Sequence, residues 1–437
     1  MITLLRNFDI LSPGDDSPAV NSSLIVQDGE IKSILEEVDQ EETRSADKVV
    51  EGEGRLLIPG FVNTHAHLGM TIFRGYADDI ALNKWLQDWI WPAEEELTPE
   101  EVYWASSLAI LESIRSGVTT VSDMYFNMDR TARAIEKAGI RGLISYGIIA
   151  EELDESGKRE IKTAVDLAEN WDGAAEGRLK VALSPHAPYT CSSEVLRELS
   201  RISEEIEVPI HTHVSETEGE VEESHEEFGL SPVQRLEELG VLDNEVLAAH
   251  CVHLGREDME ILKEKDVVVA HNPTSNMKLA SGAAPIEELR QYGVKITLGT
   301  DGPGTNNDLD IFEEMRQATF LAKLEADDPT ALSADETFKS ATASEVEELG
   351  FSGLGRIEEG AKADLVGLRR DQPYWTPEYN TVSNLVYSAK SREVDFVMAN
   401  GKPVMENGNV KTMDEEKILE KVREIGEKYG NIRKEHK

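Results

Sequence analysis

Leu57-Ile-Pro-Gly-Phe-Val-Asn-Thr-His-Ala-His-Leu68 reads as a buried β-strand that runs out of apolar residues and ends in two histidines. Side chains alternate across a strand, so His65 and His67 share one face, one pleat apart, and can hold a metal ion between them. A lone His-x-His is a weak motif, so further ligands must arrive at the ends of later strands. They do. His211-Thr-His213 follows Val208-Pro-Ile210, His250 follows Val246-Leu-Ala-Ala249, and Asp301 follows Val294-Lys-Ile-Thr-Leu-Gly-Thr300.

Outward from this stretch, strand and helix patterns alternate about eight times. The expected strands are Phe61–His65, Val118–Ser122, Leu143–Ile148, Leu179–Leu183, Pro209–His213, Val246–Ala249, Val267–Ala270 and Val294–Leu298. Segments of helical pattern such as Pro99–Ser116, Met128–Ala138 and Glu194–Ile206 separate them. The fold class is therefore α/β, a (β/α)8 TIM-like barrel whose active site lies at the carboxyl ends of its strands. Before residue 58 the chain shows short strands and turns, at Ile2–Leu5, Ser23–Val26, Ile31–Ile34 and Lys48–Val50. A similar pattern returns late, at Ala363–Leu368, Val394–Met398 and Lys402–Met405. Neither end can form a domain alone, so the two join into a small discontinuous β-sandwich. The expected division is 1–57, first part of the sandwich; 58–355, the barrel; and 356–437, second part of the sandwich. An exposed amphipathic helix over Asp414–Tyr429, with Ile418, Val422 and Ile425 at helical spacing, closes the chain.

Composition removes several function classes. The chain has 437 residues, 40% of them hydrophobic, ample for a barrel and a smaller partner. Its 85 acidic residues against 44 basic give a formal charge of -41, and such a field repels phosphate backbones and anionic lipid. Nucleic acid and membrane are thus not expected partners. Acidic residues recur in nearly every helical segment, including Glu94–Glu96, Glu204-Glu205 and Glu226-Glu227, a pattern expected of a halophile-like surface in a salt-rich cytoplasm. Cys191 and Cys251 stand far apart and form no disulfide framework, which suits a reducing cytoplasmic interior. The opening residues lack the basic start and apolar run of a signal peptide. No stretch approaches the ~18 apolar residues of a membrane span.

The barrel rim carries His65 and His67, His186, His213, His250, His271 and Asp301. Imidazole and carboxylate groups with room for a water describe a catalytic divalent site, zinc foremost, which lowers the pKa of a bound water to about 7. Glu216, three residues past His213, would overhang the metal and serve as proton shuttle.

Pro-Gly-Phe-Val-Asn-Thr-His-Ala-His, His-Val-Ser-Glu-Thr, Ala-His-Cys-Val-His, His-Asn-Pro-Thr-Ser-Asn-Met-Lys-Leu and Leu-Gly-Thr-Asp-Gly together resemble the amidohydrolase superfamily. Within it, the nearest likeness is to the branch of 5-methylthioadenosine/S-adenosylhomocysteine deaminases. The resemblance implies hydrolytic deamination of the adenine ring of a small nucleoside. It implies that His65, His67, His213 and Asp301 hold the metal, that Glu216 carries protons and that His250 orients the nucleophile. Some members bridge two metals with a carboxylated lysine at the end of strand four. Here that strand ends Leu183-Ser-Pro-His186, which argues for one metal. By the same resemblance His186 and Glu94 contact ribose hydroxyls, and Asp301 serves in catalysis as well as in binding. Taken alone, Glu94 reads as one of three adjacent acids on a solvated helix. Relatives that accept S-adenosylhomocysteine place an arginine near the end of strand three; Tyr146 stands there, favouring an uncharged 5′ substituent. Trp85, Trp89 and Trp91 read as packing against the barrel, Trp85 and Trp89 on one helix face, with a role in covering the nucleoside's 5′ substituent at a subunit contact as the alternative. An alternative is an amidohydrolase acting on guanine, cytosine, an s-triazine or a chlorinated ring. A homo-oligomer stays open.

Overall fold

The computed structural model describes residues 1–344, 350 and 352–435. The strands of the amino-terminal part are β1 (Ile2–Ile10), β2 (Ala19–Gln27), β3 (Glu30–Leu35), β4 (Lys48–Glu51) and β5 (Leu56–Pro59). The barrel strands are β6 (Phe61–Ala66), β7 (Val118–Tyr125), β8 (Arg141–Ile148), β9 (Leu179–Pro185), β10 (Ile210–Val214), β11 (Val246–His250), β12 (Val268–His271) and β13 (Lys295–Leu298). Late in the chain come β14 (Leu365–Leu368), β15 (Val394–Ala399), β16 (Lys402–Glu406) and β17 (Asn409–Val410).

Strands β6 to β13 run parallel in sequence order. The ring closes where Ala66 bridges Asp301 and where Thr64 Oγ1 donates to Leu298 O at 2.9 Å. Helices cover the outside, so strand faces are apolar inward and outward alike: Val62, Leu143, Ala182, Leu247 and Val268 fill the interior, while Phe61 meets Phe312 edge-on at 5.1 Å outside it. Strand β7 runs three residues beyond the expected Ser122. Its continuation includes Asp123, a poor strand residue by type, which stays because it is buried and its Oδ1 accepts the Leu68 N–H at 2.7 Å.

The two chain ends form one sheet in the order β17-β16-β15-β14-β5-β1-β2-β3, with β4 also on β1. It curls over its own core of Leu5, Phe8, Leu24, Leu57, Leu365, Phe396 and Met398. Its β2–β3 end folds back on the middle of the sheet: Ala363 N, just before β14, donates to Gly29 O in the β2–β3 turn at 2.9 Å. Strand β1 extends to Ile10 where Leu5 was the expected end. A bulge between Leu5 and Phe8, with Asn7 at φ 62°, breaks the alternation that marks a strand in sequence.

Only Gly60 separates β5 of this sheet from β6 of the barrel. A Cβ at Gly60 would lie 2.1 Å from Thr119 Oγ1, so no other residue fits the crossing. A buried ion pair locks the two parts nearby, Arg141 Nη2 of β8 lying 2.8 Å from Asp364 Oδ2. The carboxy-terminal helix, Glu415–Glu435, is not the free surface element expected. It packs on helix Pro99–Arg115 with Ile418, Ile425 and Tyr429 buried, and Lys428 Nζ sits 2.9 Å from Glu101. No helix among the described residues is long and apolar enough to cross a membrane.

Candidate active site

Strand periodicity brings the candidate ligands to one mouth. The donor atoms of His65, His67 and His213 lie within 4.8 Å of one another, as do those of His65, His250 and Asp301. Asp301 Oδ1 stands 3.1 Å from His67 Nε2 and 3.5 Å from His65 Nε2. Close approach here is secured by Gly299, where a Cβ would come within 2.8 Å of the His65 Cβ.

The surroundings fix which atom each ligand offers. His67 Nδ1–H donates to Met124 O at 2.5 Å and His213 Nδ1–H to His186 O at 2.6 Å, so both rings turn Nε2 inward. Those two Nε2 atoms face each other at 3.3 Å. His65 Nδ1 meets His211 Nε2 at 2.9 Å. One assignment satisfies that line of contacts: His65 donates to His211, His211 Nδ1–H to Ser145 Oγ at 3.5 Å, and Ser145 to Asp123 O at 3.1 Å. It leaves His65 Nε2 bare, and that buried atom has no hydrogen-bond partner. Asp301 Oδ2 is taken by Ser275 Oγ at 2.6 Å and Thr305 Oγ1 at 2.7 Å, which reserves Oδ1 for the centre.

Three inward nitrogens and a carboxylate oxygen repel one another unless positive charge lies among them. Burial would raise the Asp301 carboxyl, yet His65 and His67 hold it well below the usual carboxylate range. Burial likewise opposes charge on His67, yet Asp301 pulls it up to about 9. His65 falls to about 3 and His213 well below its ordinary value, both chiefly through burial. Three imidazoles and one carboxylate fit a divalent cation, and the bare His65 Nε2 is the atom such an ion would satisfy.

Glu216 reaches the same space. Its carboxyl is raised by burial, and its Oε2 lies 3.9 Å from His250 Nε2. His250 in turn bonds Asn276 Oδ1 through Nδ1 at 2.8 Å. Glu220 pins the loop, accepting the Ser215 and Glu216 N–H groups at 3.0 and 2.8 Å. Ser215, His250 and Asp301 all take left-handed backbone, at φ 51°, 74° and 59°. Such conformations are costly for these residue types and cluster at functional sites.

The cavity above the cluster encloses about 690 Å³ of atom-free space, part of it open to solvent. His186, Glu94, Glu216, His250 and Asp301 line it together. The reading of Glu94 as solvated surface fails: Glu94 accepts the Tyr125 hydroxyl at 2.6 Å, and burial pushes its carboxyl up to about 7. Glu94 follows Leu86 and Ile90 at four-residue spacing, and all three line the cavity. The segment between carries a π-helical turn over Leu86–Ile90, in which Trp91 N–H reaches Leu86 O. Trp85 and Trp91 line the cavity as well, while Trp89 packs on Tyr76 at 6.3 Å.

Tyr146 does not line this space. Its hydroxyl donates to Glu160 at 2.8 Å, and its neighbour Gly147 faces the cavity instead. His271, buried at the rim, does not line it either. Tyr189 and Leu279, which do, close the motifs Pro185-His-Ala-Pro-Tyr189 and His271-Asn-Pro-Thr-Ser-Asn-Met-Lys-Leu279, whereas Met124 belongs to no motif.

Support extends behind Asp301. Glu314, fully buried, accepts Asn306 Nδ2 at 2.7 Å and Thr274 N–H at 3.2 Å, tying the loops after β12 and β13. Burial pushes its carboxyl from the ordinary 4.5 up to about 8. A carboxyl raised on folding holds its proton more tightly in the native state. It costs no stability below the unfolded value and costs progressively more as pH rises through 4.5 toward 8. Glu314→Gln should therefore flatten the fall in melting temperature across that range, read by scanning calorimetry. An unchanged slope would clear Glu314 as its source.

The chain matches the model of the Amidohydrolase family over residues 56–404. It is 43% identical over 420 residues to a 5-methylthioadenosine/S-adenosylhomocysteine deaminase of Thermoanaerobacter pseudethanolicus, covering 96% of this chain and 97% of the relative. It is 42% identical over 425 residues to a 5′-deoxyadenosine deaminase of Methanosarcina acetivorans, covering 97% of each. Among solved structures, an adenosine deaminase from Xanthomonas campestris with bound zinc superposes with a TM-score of 0.92 at 32% identity, covering 98% of both chains.

Proposed function

We propose, given that this chain belongs to the amidohydrolase family, that it is a hydrolytic deaminase of 5′-substituted adenosines, 5-methylthioadenosine among them. Water adds at C6 of the adenine ring and ammonia leaves, giving the inosine analogue. The observation that carries the reading is the shared cavity: Glu216, His250, Glu94 and His186 surround the four-ligand cluster, in a chain that matches adenosine-type deaminases over nearly its whole length.

His65, His67, His213 and Asp301 would hold one divalent ion, zinc by its donor set, which when bound supplies hydroxide at neutral pH. Glu94 and His186 bind the ribose hydroxyls. Glu216, whose carboxyl burial keeps protonatable, delivers a proton to N1 of the ring and so draws electrons away from C6. His250, held through Nδ1 by Asn276, turns Nε2 toward the reacting face and orients the nucleophile. Asp301 accepts a proton through Oδ1, its other oxygen being occupied by Ser275 and Thr305.

Ammonia release from a panel of 5′-substituted adenosines, guanine, cytosine and s-triazines tests this reading. Turnover confined to the adenosines, with the absorbance change of inosine formation, is the expected result. Turnover of guanine or a triazine alone would replace the reading with another hydrolase on this scaffold.

The acidic surface belongs to a protein working in a salt-rich cytoplasm. With -41 formal charge, self-repulsion is relieved only as counterions screen it. The melting temperature should rise between low and molar KCl; a flat or falling curve would count against this setting.

A further inference from the structure

Past Glu94 the cavity continues into a second recess that none of the four ligand side chains lines. Trp91, Glu94, Phe126 and Ile149 border both spaces, and Leu97 adds to the apolar wall of the second. This recess holds about 810 Å³ of atom-free space, part of it open to solvent. Ile149 is 37% exposed there, an apolar side chain left facing water beside a functional cavity. No lysine or arginine among the described residues lines either space. Lys158 and Arg159, the basic residues in the segment after β8, are exposed and bond within their own helix, to Glu155 and Ser156. The ionisable groups bordering the recess are the acids Glu94 and Glu95.

We propose that this recess seats the 5′ substituent and selects uncharged alkylthio groups longer than methylthio over the amino-acid tail of S-adenosylhomocysteine. The assignment rests on the deaminase reading above. With adenine at the ligand cluster and ribose at Glu94, the group on C5′ continues past Glu94 between Trp91, Phe126 and Ile149. Apolar surface buried there is favourable, each methylene contributing up to about fourfold in binding. The homocysteinyl tail has nearly the same length as a butylthio group but ends in an ammonium and a carboxylate. Its carboxylate meets aromatic and aliphatic walls and the Glu95 side chain; Asn127 is the one neutral polar side chain lining the recess, no cation is there to pair the charge, and desolvating an unpaired charge is costly.

The test compares kcat/KM for adenosine, 5′-methylthio-, 5′-butylthio- and S-homocysteinyl-adenosine on the zinc-loaded enzyme. Butylthio should exceed methylthio by about tenfold, since three added methylenes are partly buried, and should exceed the homocysteinyl compound by at least as much. Ile149→Arg places a cation in the recess and should raise the homocysteinyl-to-butylthio ratio about tenfold or more, with metal content and melting temperature retained. Homocysteinyl equal to or better than butylthio, or butylthio no better than methylthio, overturns the proposal while leaving the deaminase reading intact. A dimer that Ile149→Arg splits without moving the substrate ratios also overturns it, making the recess a face between copies. Failure of all four compounds to release ammonia sinks the deaminase reading itself.

Discussion

Glu216→Gln should purify with its full complement of metal and turn over adenosine substrates about 10²–10⁴-fold more slowly than the parent enzyme. The amide matches the carboxyl in shape but neither takes nor gives the proton that the ring nitrogen needs. The residue lies outside the set of His65, His67, His213 and Asp301, and its backbone is held independently, its N–H bonded to Glu220 at 2.8 Å. Folding and metal content are therefore separable from chemistry in this variant. Elemental analysis beside kcat decides the matter: turnover within a few-fold of the parent removes Glu216 from its role.

Removal of the metal should have the larger effect. Exhaustive dialysis against a chelator is expected to abolish ammonia release and to lower the melting temperature, because an ion that binds only the folded state stabilises it. Zinc added back should restore both. His65→Ala should fail to recover either, since it deletes a ring of the cluster whose inward nitrogen has no hydrogen-bond partner. Protein that is metal-free by elemental analysis and still turns over at the parental rate would refute the assignment of these four side chains.

The barrel was legible because its strands are apolar on both faces and end in residues that no packing argument explains. His65, His67, His213 and Asp301 could be picked out since each follows such a run, and the structure gathers them at one mouth. Glu94 stood out only through the resemblance: as one of three adjacent acids, Glu94–Glu96, it has no feature in sequence that separates the one facing the cavity from its solvated neighbours. Tyr146 misled differently: alignment located its strand but not its face, and its hydroxyl turns to Glu160, away from the cavity. The role of His211 beneath His65 needed the fold itself, since a His-x-His pair does not tell which ring grips an ion and which steadies a neighbour.

One residue, Gly60, joins the strand that carries His65 to a sheet nearly half of whose members come from the far end of the chain. On that side β5 pairs with β14, some 300 residues later, and Gly60 N–H bonds Asp364 O at 2.8 Å. A ribosome therefore delivers His65 and His67 long before it delivers what steadies them. The far side of β5 is thus framed only by residues made after every barrel strand.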